Sequence, residues 1–250
     1  SLEDARKKSN GIQITGSEES IESVDAIDTE EPFAESVIGV DERIRIHATR
    51  SFPFRVVGHI DTGCSGTLIG PRHVLTAGHC VYNINNDSWH SRISFSPGQS
   101  GSYRPYGKIG WSKVIAPNGW TKSHSKSYDY AMIVLKSPIG NTTGWLGYGH
   151  KSGKWTMNAN VSGYPGDKPD GTMWYENCPM KTMWYDNRRV SHTCDTFGGM
   201  SGSGLYRNIN GSRIIYGVHT NGSGGGSRNF GTRITKGVFD TLRHWKSQNP

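Results

Sequence analysis

The chain has 250 residues, 33 of them glycine, with 33% hydrophobic residues and a formal net charge of +7. That length is enough for one large all-β core or two small ones, and no window approaches the roughly eighteen apolar residues of a membrane span. The first residues, Ser1 to Asn10, are charged and lack the apolar core of a signal peptide, so in an exported protein the signal would have been removed or would lie outside this sequence.

The charge divides the chain. Residues 1–35 carry three basic and ten acidic side chains, net −7, whereas residues 36–250 carry net +14. A basic body invites a nucleic-acid reading, but no tight Lys/Arg cluster is present, and Arg188-Arg189 is the densest pair after residue 36. Neither nucleic acid nor membrane is therefore expected as a partner. An acidic leader that docks on, or solubilises, a basic domain accounts for the distribution.

In chain order, residues 1–35 read as a leader with one weak strand candidate, Ile12–Thr15, and a disordered tail as the simpler reading. From Ser36 onward short apolar or alternating runs recur between Gly, Pro, Asn and Ser clusters. Examples are Phe54–Ile60, Gly66–Ile69, His73–Thr76, Arg92–Phe95, Lys113–Ala116, Tyr130–Leu135, Ala159–Tyr164, Gly202–Tyr206 and Arg213–His219. That cadence predicts a β-barrel or sandwich. Gly222–Gly226 reads as a flexible loop, because no strand-then-helix context surrounds it. Ile234, Val238, Leu242 and Trp245 recur at helical spacing and predict one closing helix with that stripe in the core. No internal repeat is detectable in the residues.

Four cysteines, Cys64, Cys80, Cys178 and Cys194, without C-x-x-C spacing argue against zinc and for two disulfides in an oxidising compartment. Pairing Cys64 with Cys80 and Cys178 with Cys194 closes two short loops, although four cysteines allow three connectivities.

Three segments carry candidate chemistry. Leu75-Thr76-Ala77-Gly78-His79-Cys80 ends an apolar strand, and by itself its His reads as an ordinary partly buried histidine. Tyr128-Asp129-Tyr130 opens the apolar run Ala131–Leu135, where a carboxylate is expensive unless hydrogen-bonded. Thr196-Phe197-Gly198-Gly199-Met200-Ser201-Gly202-Ser203-Gly204 flanks one Ser with glycines, which permits close backbone approach and unhindered N–H groups.

Taken together, the order His, Asp, Ser in these contexts resembles the chymotrypsin group, and the chain from Ser36 onward resembles the bacterial glutamyl endopeptidases. Ser36-Val37-Ile38-Gly39 followed by Asp41-Glu42-Arg43 is similar to their mature amino terminus. Ser162–Lys168, His219-Thr220-Asn221-Gly222 and Gly231–Lys236 are similar to further stretches of that family. The resemblance implies an all-β fold of two perpendicular, antiparallel six-stranded barrels with a C-terminal α-helix. Residues 36–140 would form the first barrel with His79 and Asp129, and residues 141–250 the second with Ser201, behind an acidic pro-segment at 1–35. It implies a triad of His79, Asp129 and Ser201, with the backbone N–H groups of Gly199 and Ser201 as oxyanion hole. It supports the Cys64–Cys80 bridge; it does not extend to Cys178–Cys194, which is expected to staple the hairpin leading to the Ser201 loop. Gly204 stands where the family usually has Pro, which predicts altered loop stiffness without loss of chemistry.

Two readings compete for the substrate residue. Asp195 lies at the offset where trypsin-like enzymes keep the acid that receives Lys or Arg. Against it, Thr196, His219 and the α-amino group of Ser36 resemble the groups that hold a substrate carboxylate. Composition adds a separate argument. Residues 36–250 contain two Glu, Glu42 and Glu176, but nine Asp and 25 Lys or Arg, whereas the leader holds seven Glu. A secreted, monomeric endopeptidase that cuts after Glu, and Asp less well, is therefore expected, acting on proteins or peptides. Its own leader is a further partner, removed at the processing site Glu35–Ser36. A catalytically dead module on the same fold is the other alternative. Asp167 and Asp170 offer oxygens for a structural calcium, but a Pro-Gly-Asp-Lys-Pro-Asp-Gly turn needs no metal and no cofactor is expected. Asn86, Asn141, Asn160, Asn210 and Asn221 lie in N-x-S/T sites that matter only in a glycosylating host.

Overall fold

The structure is a computed structural model that describes residues 12–13 and 36–250. Glu35 and the rest of the leader, apart from residues 12–13, lie outside the described residues.

Among the described residues, seventeen strands alternate with short turns. They are β1 (Ile12–Gln13), β2 (Ile44–Arg45), β3 (Val57–Ile60), β4 (Cys64–Leu68), β5 (His73–Thr76), β6 (Tyr82–Asn83), β7 (Ser88–Trp89), β8 (Ser94–Pro97) and β9 (Ile109–Ala116). There follow β10 (Ala131–Leu135), β11 (Gly147–Tyr148), β12 (Thr156–Gly163), β13 (Trp174–Thr182), β14 (Arg189–His192), β15 (Gly204–Ile209), β16 (Ser212–Asn221) and β17 (Asn229–Arg233). The first sheet runs β9-β10-β5-β4-β3-β8 and closes through β8–β9. The second runs β12-β13-β14-β17-β16-β15 and closes through β12–β15. Both are six-stranded antiparallel barrels. Numbered within each barrel, the strand order 1-2-3-6-5-4 is the same in both, a structural repeat with no counterpart in the residues.

Closure leaves no free edge on most strands. The exceptions accept additions. β8 pairs with β9 only at Ile109 and Gly110, and the open end of β9 pairs Ile12 with Ala116 and Gln13 with Ile115. β2 pairs with β13, so the segment just after Ser36 runs along the second barrel rather than the first.

β10 explains how the halves join. All five of its residues are buried, which an antiparallel strand sustains only when both faces are covered. One face fills the barrel; the other side of this region meets the terminal helix Lys236–Ser247. Val238, Leu242 and Trp245 belong to the first-barrel core, and Trp245 stacks on Tyr130 at 5.7 Å. Each such side chain stabilises the fold by about 1.5–3 kcal/mol. The predicted stripe is thus correct, with Ile234 just ahead of the helix and Thr235 capping it by accepting the Val238 N–H at 3.3 Å.

The predicted strands largely recur with shifted ends. Phe54–Val56 is a short 3-10 turn ahead of β3. β13, β14 and β17 were not among the predicted runs. In β13, Glu176, Cys178, Met180 and Thr182 face inward and Asn177, Pro179 and Lys181 outward, a mixed composition that conceals the alternation.

Candidate active site

His79 lies in the 3-10 turn Gly78–Cys80 directly after β5, and Asp129 at the end of the turn Lys126–Tyr128 directly before β10. Since β5 and β10 are antiparallel with Thr76 opposite Ala131, residues a few steps beyond those ends meet. The Asp129 Oδ1 accepts the His79 backbone N–H at 3.0 Å, and Oδ2 lies 2.8 Å from His79 Nδ1. Asp129 is 1% exposed and His79 16%. Two donors from one residue hold the carboxylate and fix the ring, and with the proton on Nδ1 the acceptor nitrogen of the imidazole is Nε2. Thr232 Oγ1 donates to the Asp129 carbonyl at 2.8 Å, which ties this site to the second barrel.

The Ser201 segment, between β14 and β15, is pinned against the first barrel. Ser65 donates its N–H to the Ser201 carbonyl at 2.8 Å, and Cys80 Sγ lies 3.6 Å from that same oxygen. Gly202 has φ +89°, and a Cβ there would sit 2.2 Å from both the Ser65 oxygen and Thr76 Oγ1, and 3.1 Å from the Ala77 nitrogen. Ala77 is two residues from His79, so only glycine lets Ser201 approach the histidine turn this closely. The Ser201 hydroxyl donates to the Thr220 carbonyl at 3.1 Å. Cys64–Cys80 forms with an S–S distance of 2.09 Å and Cys178–Cys194 with 2.05 Å, the two pairs expected from the short loops.

Gly199 has φ +106°, and a Cβ there would strike the Tyr164 oxygen at 2.3 Å. The Gly198 carbonyl accepts the Gly166 N–H at 2.7 Å. Because a trans peptide points its C=O and N–H in opposite directions, the Gly199 N–H faces away from the 164–166 loop. A cleft of about 300 Å³, lined in part by His59, Gly63, Lys168, Asp170 and Gly198–Gly199, opens beside this segment.

Thr196 and Ser36 meet in the second barrel, and buried His219 is linked to them through His192 and Asn229. Thr196 N–H donates to the Ser36 carbonyl at 3.2 Å. Asn229 accepts the Ser36 N–H at 3.2 Å on Oδ1, and its Nδ2 donates to the Ser36 and Cys194 carbonyls at 2.7 and 2.8 Å. Gly225, in the loop read as merely flexible, donates its N–H to Ser36 Oγ at 3.0 Å. The Thr196 hydroxyl is buried without a hydrogen-bond partner among the described residues, an expense of about 1–3 kcal/mol that a bound anion would relieve.

Behind this pocket stands His192. Its Nε2 lies 3.0 Å from His219 Nδ1. The ladder pairs His192 with Asn229 and His219 with Gly231, which puts all four on one face of the sheet, and Gly231 has no side chain to separate the imidazoles. Burial, reinforced by the charge of His219 and Arg228, holds His192 well below the ordinary imidazole range, so it is neutral at neutral pH. When His192 Nε2 donates, His219 Nδ1 is the acceptor.

Asp195 is engaged elsewhere. Its Oδ1 accepts the Ile38 N–H at 2.6 Å, its Oδ2 accepts the Glu42 N–H at 2.8 Å, and it is 2% exposed. Its own N–H donates to Glu176 Oε2 at 2.7 Å. Asp167 takes both terminal nitrogens of buried Arg43, which also binds Asp41. Gly204 donates its N–H to Thr67 Oγ1 at 3.3 Å, a bond that the family's proline would forfeit.

Sequence reasoning missed His192 and Asn229. His192 ends an unexceptional Arg-Val-Ser-His strand, and Asn229 follows a Gly/Ser loop; nothing local marks either. Only the register of β14, β17 and β16 brings them to the pocket.

Two closed antiparallel barrels, with a His–Asp pair from the first and a glycine-flanked Ser from the second at their junction, define the chymotrypsin-like fold of serine proteases. The trypsin family model matches residues 44–242. A glutamyl endopeptidase of Bacillus licheniformis is 40% identical over 222 residues, covering 85% of this chain and 69% of that protein. An extracellular metalloprotease of Bacillus subtilis is 39% identical over 225 residues, covering 85% and 70%. The solved structure of a Glu endopeptidase in complex with MPD matches with a TM-score of 0.77 and 32% identity, covering 84% of this chain and 99% of that one. The chain belongs to the trypsin family and is a serine protease homologous to glutamyl endopeptidases. The name of the Bacillus subtilis relative speaks of a metal. Among the described residues, the His/Cys groupings are Cys64–His79–Cys80 and Cys178–His192–Cys194. Their sulfurs are joined as disulfides and offer no thiolate, so these donor sets do not fit a metal ion. No described helix is long and apolar enough to cross a membrane.

Proposed function

We propose that the chain is a secreted, monomeric endopeptidase that hydrolyses peptide bonds after Glu, with Asp cleaved less well. It is made as a zymogen, with residues 1–35 as pro-segment, and is opened at Glu35–Ser36. Residues 36–140 supply His79 and Asp129, and residues 141–250 supply Ser201. Ser201 Oγ attacks the scissile carbonyl while His79 Nε2 takes its proton and later gives one to the departing amine. Asp129 holds the ring and favours the imidazolium that develops. The N–H groups of Gly199 and Ser201 receive the oxyanion, where each such donor is worth about 3–4 kcal/mol of barrier.

The observation that carries the Glu reading is the pocket. Thr196 with its unpartnered buried hydroxyl, His219 backed by neutral His192, and Ser36 held by Asn229 are linked there. This is a donor-rich site suited to a carboxylate. The Lys/Arg alternative loses its basis, since both oxygens of Asp195 already accept backbone N–H groups. The scarcity of Glu in residues 36–250 and the similarity to a glutamyl endopeptidase add to the reading. Until Glu35–Ser36 is cut, Ser36 has an amide in place of an ammonium, and one positive charge of the pocket is missing.

Two chromogenic peptides that differ only in Glu or Arg before the scissile bond test the proposal, together with amino-terminal sequencing of the enzyme. The expected result is a Glu preference of at least 100-fold and a new terminus at Ser36. Preferential cleavage after Arg, or full activity on the Glu peptide with Glu35–Ser36 intact, would overturn it. Failure of a fluorophosphonate to label Ser201 would favour the dead module.

A further inference from the structure

Asp195 and Thr196 are consecutive, and between them they grip the segment that begins at Ser36 in three places. The Asp195 carboxylate accepts the N–H groups of Ile38 and Glu42 at 2.6 and 2.8 Å. The Thr196 N–H donates to the Ser36 carbonyl at 3.2 Å. A buried carboxylate that meets two backbone N–H groups makes short, charge-assisted bonds, and removing it would leave both donors unsatisfied.

We propose that Asp195 is a positioning residue for substrate recognition: it clasps residues 38–42 so that the α-amino group released by cutting Glu35–Ser36 stays in the pocket beside Thr196 and Asn229. The inference rests on the Glu reading above for its functional consequence, but the clasp itself does not. A new chain terminus frays unless it is tied down, and a frayed ammonium would be hydrated and screened in solvent instead of facing a substrate carboxylate. The residues that follow are anchored without Asp195. Arg43 is fixed by Asp41 and Asp167, β2 pairs with β13, and the Ile46 N–H donates to the Met173 carbonyl at 2.8 Å. Loss of the clasp therefore releases residues 38–42 alone, and leaves Ser36 to its own bonds with Thr196, Asn229 and Gly225, which must then hold a terminus whose following segment has been loosened.

The electrostatics sharpen the claim. A negative charge near a pocket for Glu ought to repel the substrate, and its removal by Asp195→Asn would by simple charge counting raise the preference for Glu over Gln. Positioning demands the reverse. An asparagine at 195 offers one acceptor for two N–H groups and turns its own NH2 against the other.

The experiment uses full-length wild-type and Asp195→Asn chains, each cut at Glu35–Ser36 with a trace of an established glutamyl endopeptidase and verified by amino-terminal sequencing. Two quantities are read. One is the rate at which an amine-reactive ester labels the Ser36 α-amino group. The other is the ratio of kcat/KM for peptides that carry Glu or Gln before the scissile bond. The expected result is labelling at least tenfold faster in Asp195→Asn, with a Glu/Gln ratio at least tenfold lower. Unchanged labelling would overturn the clasp. Faster labelling with an unchanged or raised ratio would overturn its role in recognition. A wild-type ratio near one alongside faster labelling in the variant would leave the clasp standing and refute the Glu reading beneath it.

Discussion

Replacing Gly202 with alanine tests how the second barrel delivers Ser201. At φ +89° an L residue is strained by about 1–2 kcal/mol. The added Cβ would stand 2.2 Å from the Ser65 oxygen and from Thr76 Oγ1. Ordinary contact begins near 3.4 Å, so the segment must retreat by about 1 Å. Overpacking of this kind costs about 1–3 kcal/mol in addition to the strain. The retreat pulls the Ser201 carbonyl off the Ser65 N–H, and a reacting atom misplaced by 1 Å slows the reaction about 100-fold, equivalent to about 2.7 kcal/mol of barrier. Gly202→Ala is expected to lose about 2–5 kcal/mol of stability and at least 100-fold in kcat/KM. The assays are urea denaturation, and turnover of a Glu peptide with fluorophosphonate labelling of Ser201. Gly237→Ala serves as control, because its nearest neighbour would be 3.8 Å away in the terminal helix, and it should match wild type or gain about 0.5–1 kcal/mol. A Gly202→Ala enzyme within threefold of wild-type turnover would refute the reasoning.

Asp129→Asn should lower kcat about 10⁴-fold. An amide offers one oxygen to the two His79 donors, and an NH2 facing Nδ1 moves the ring proton to Nε2, where it can no longer accept from Ser201; a loss below tenfold would contradict this. Glu176 governs a pH dependence of stability. Burial, with like charge from Asp195 and Glu42, pushes its carboxyl up from 4.5 to about 7. A raised carboxyl contributes stability that is whole below about pH 4.5 and is lost as the pH rises through 7, up to about 3 kcal/mol. In a Ser201→Ala background, Glu176→Gln should flatten that decline and be the more stable chain at pH 8. Parallel stability curves for the two would show that Glu176 does not titrate in this range.

The triad candidates were legible only jointly. Each segment alone had a plain reading, the His79 segment most of all, and it was the order His, Asp, Ser in an Ala-Gly-His-Cys context, at the mouth of an apolar strand and between glycines that resembled a known family. The closing helix was legible by itself, as burial of one face imposes a period on the residues. The pocket was legible only in part. Thr196, His219 and Ser36 were found through likeness to a family, while His192 and Asn229 carry no local signal. They became visible only through the register of β14, β17 and β16.

Asp195 marks the boundary most clearly. Along the chain its offset from Ser201 points to a pocket for Lys or Arg, and the residue type is right for that role. Where a carboxylate points, however, is decided by the donors that reach it. Here those donors are backbone N–H groups of Ile38 and Glu42, more than 150 residues away in the chain. The sequence by itself determined which groups with chemistry are present, the periods of the elements and the cysteine framework. The tertiary structure alone decided which buried polar groups satisfy one another, because a hydrogen bond depends on distance and direction in space and a residue's neighbours along the chain set neither.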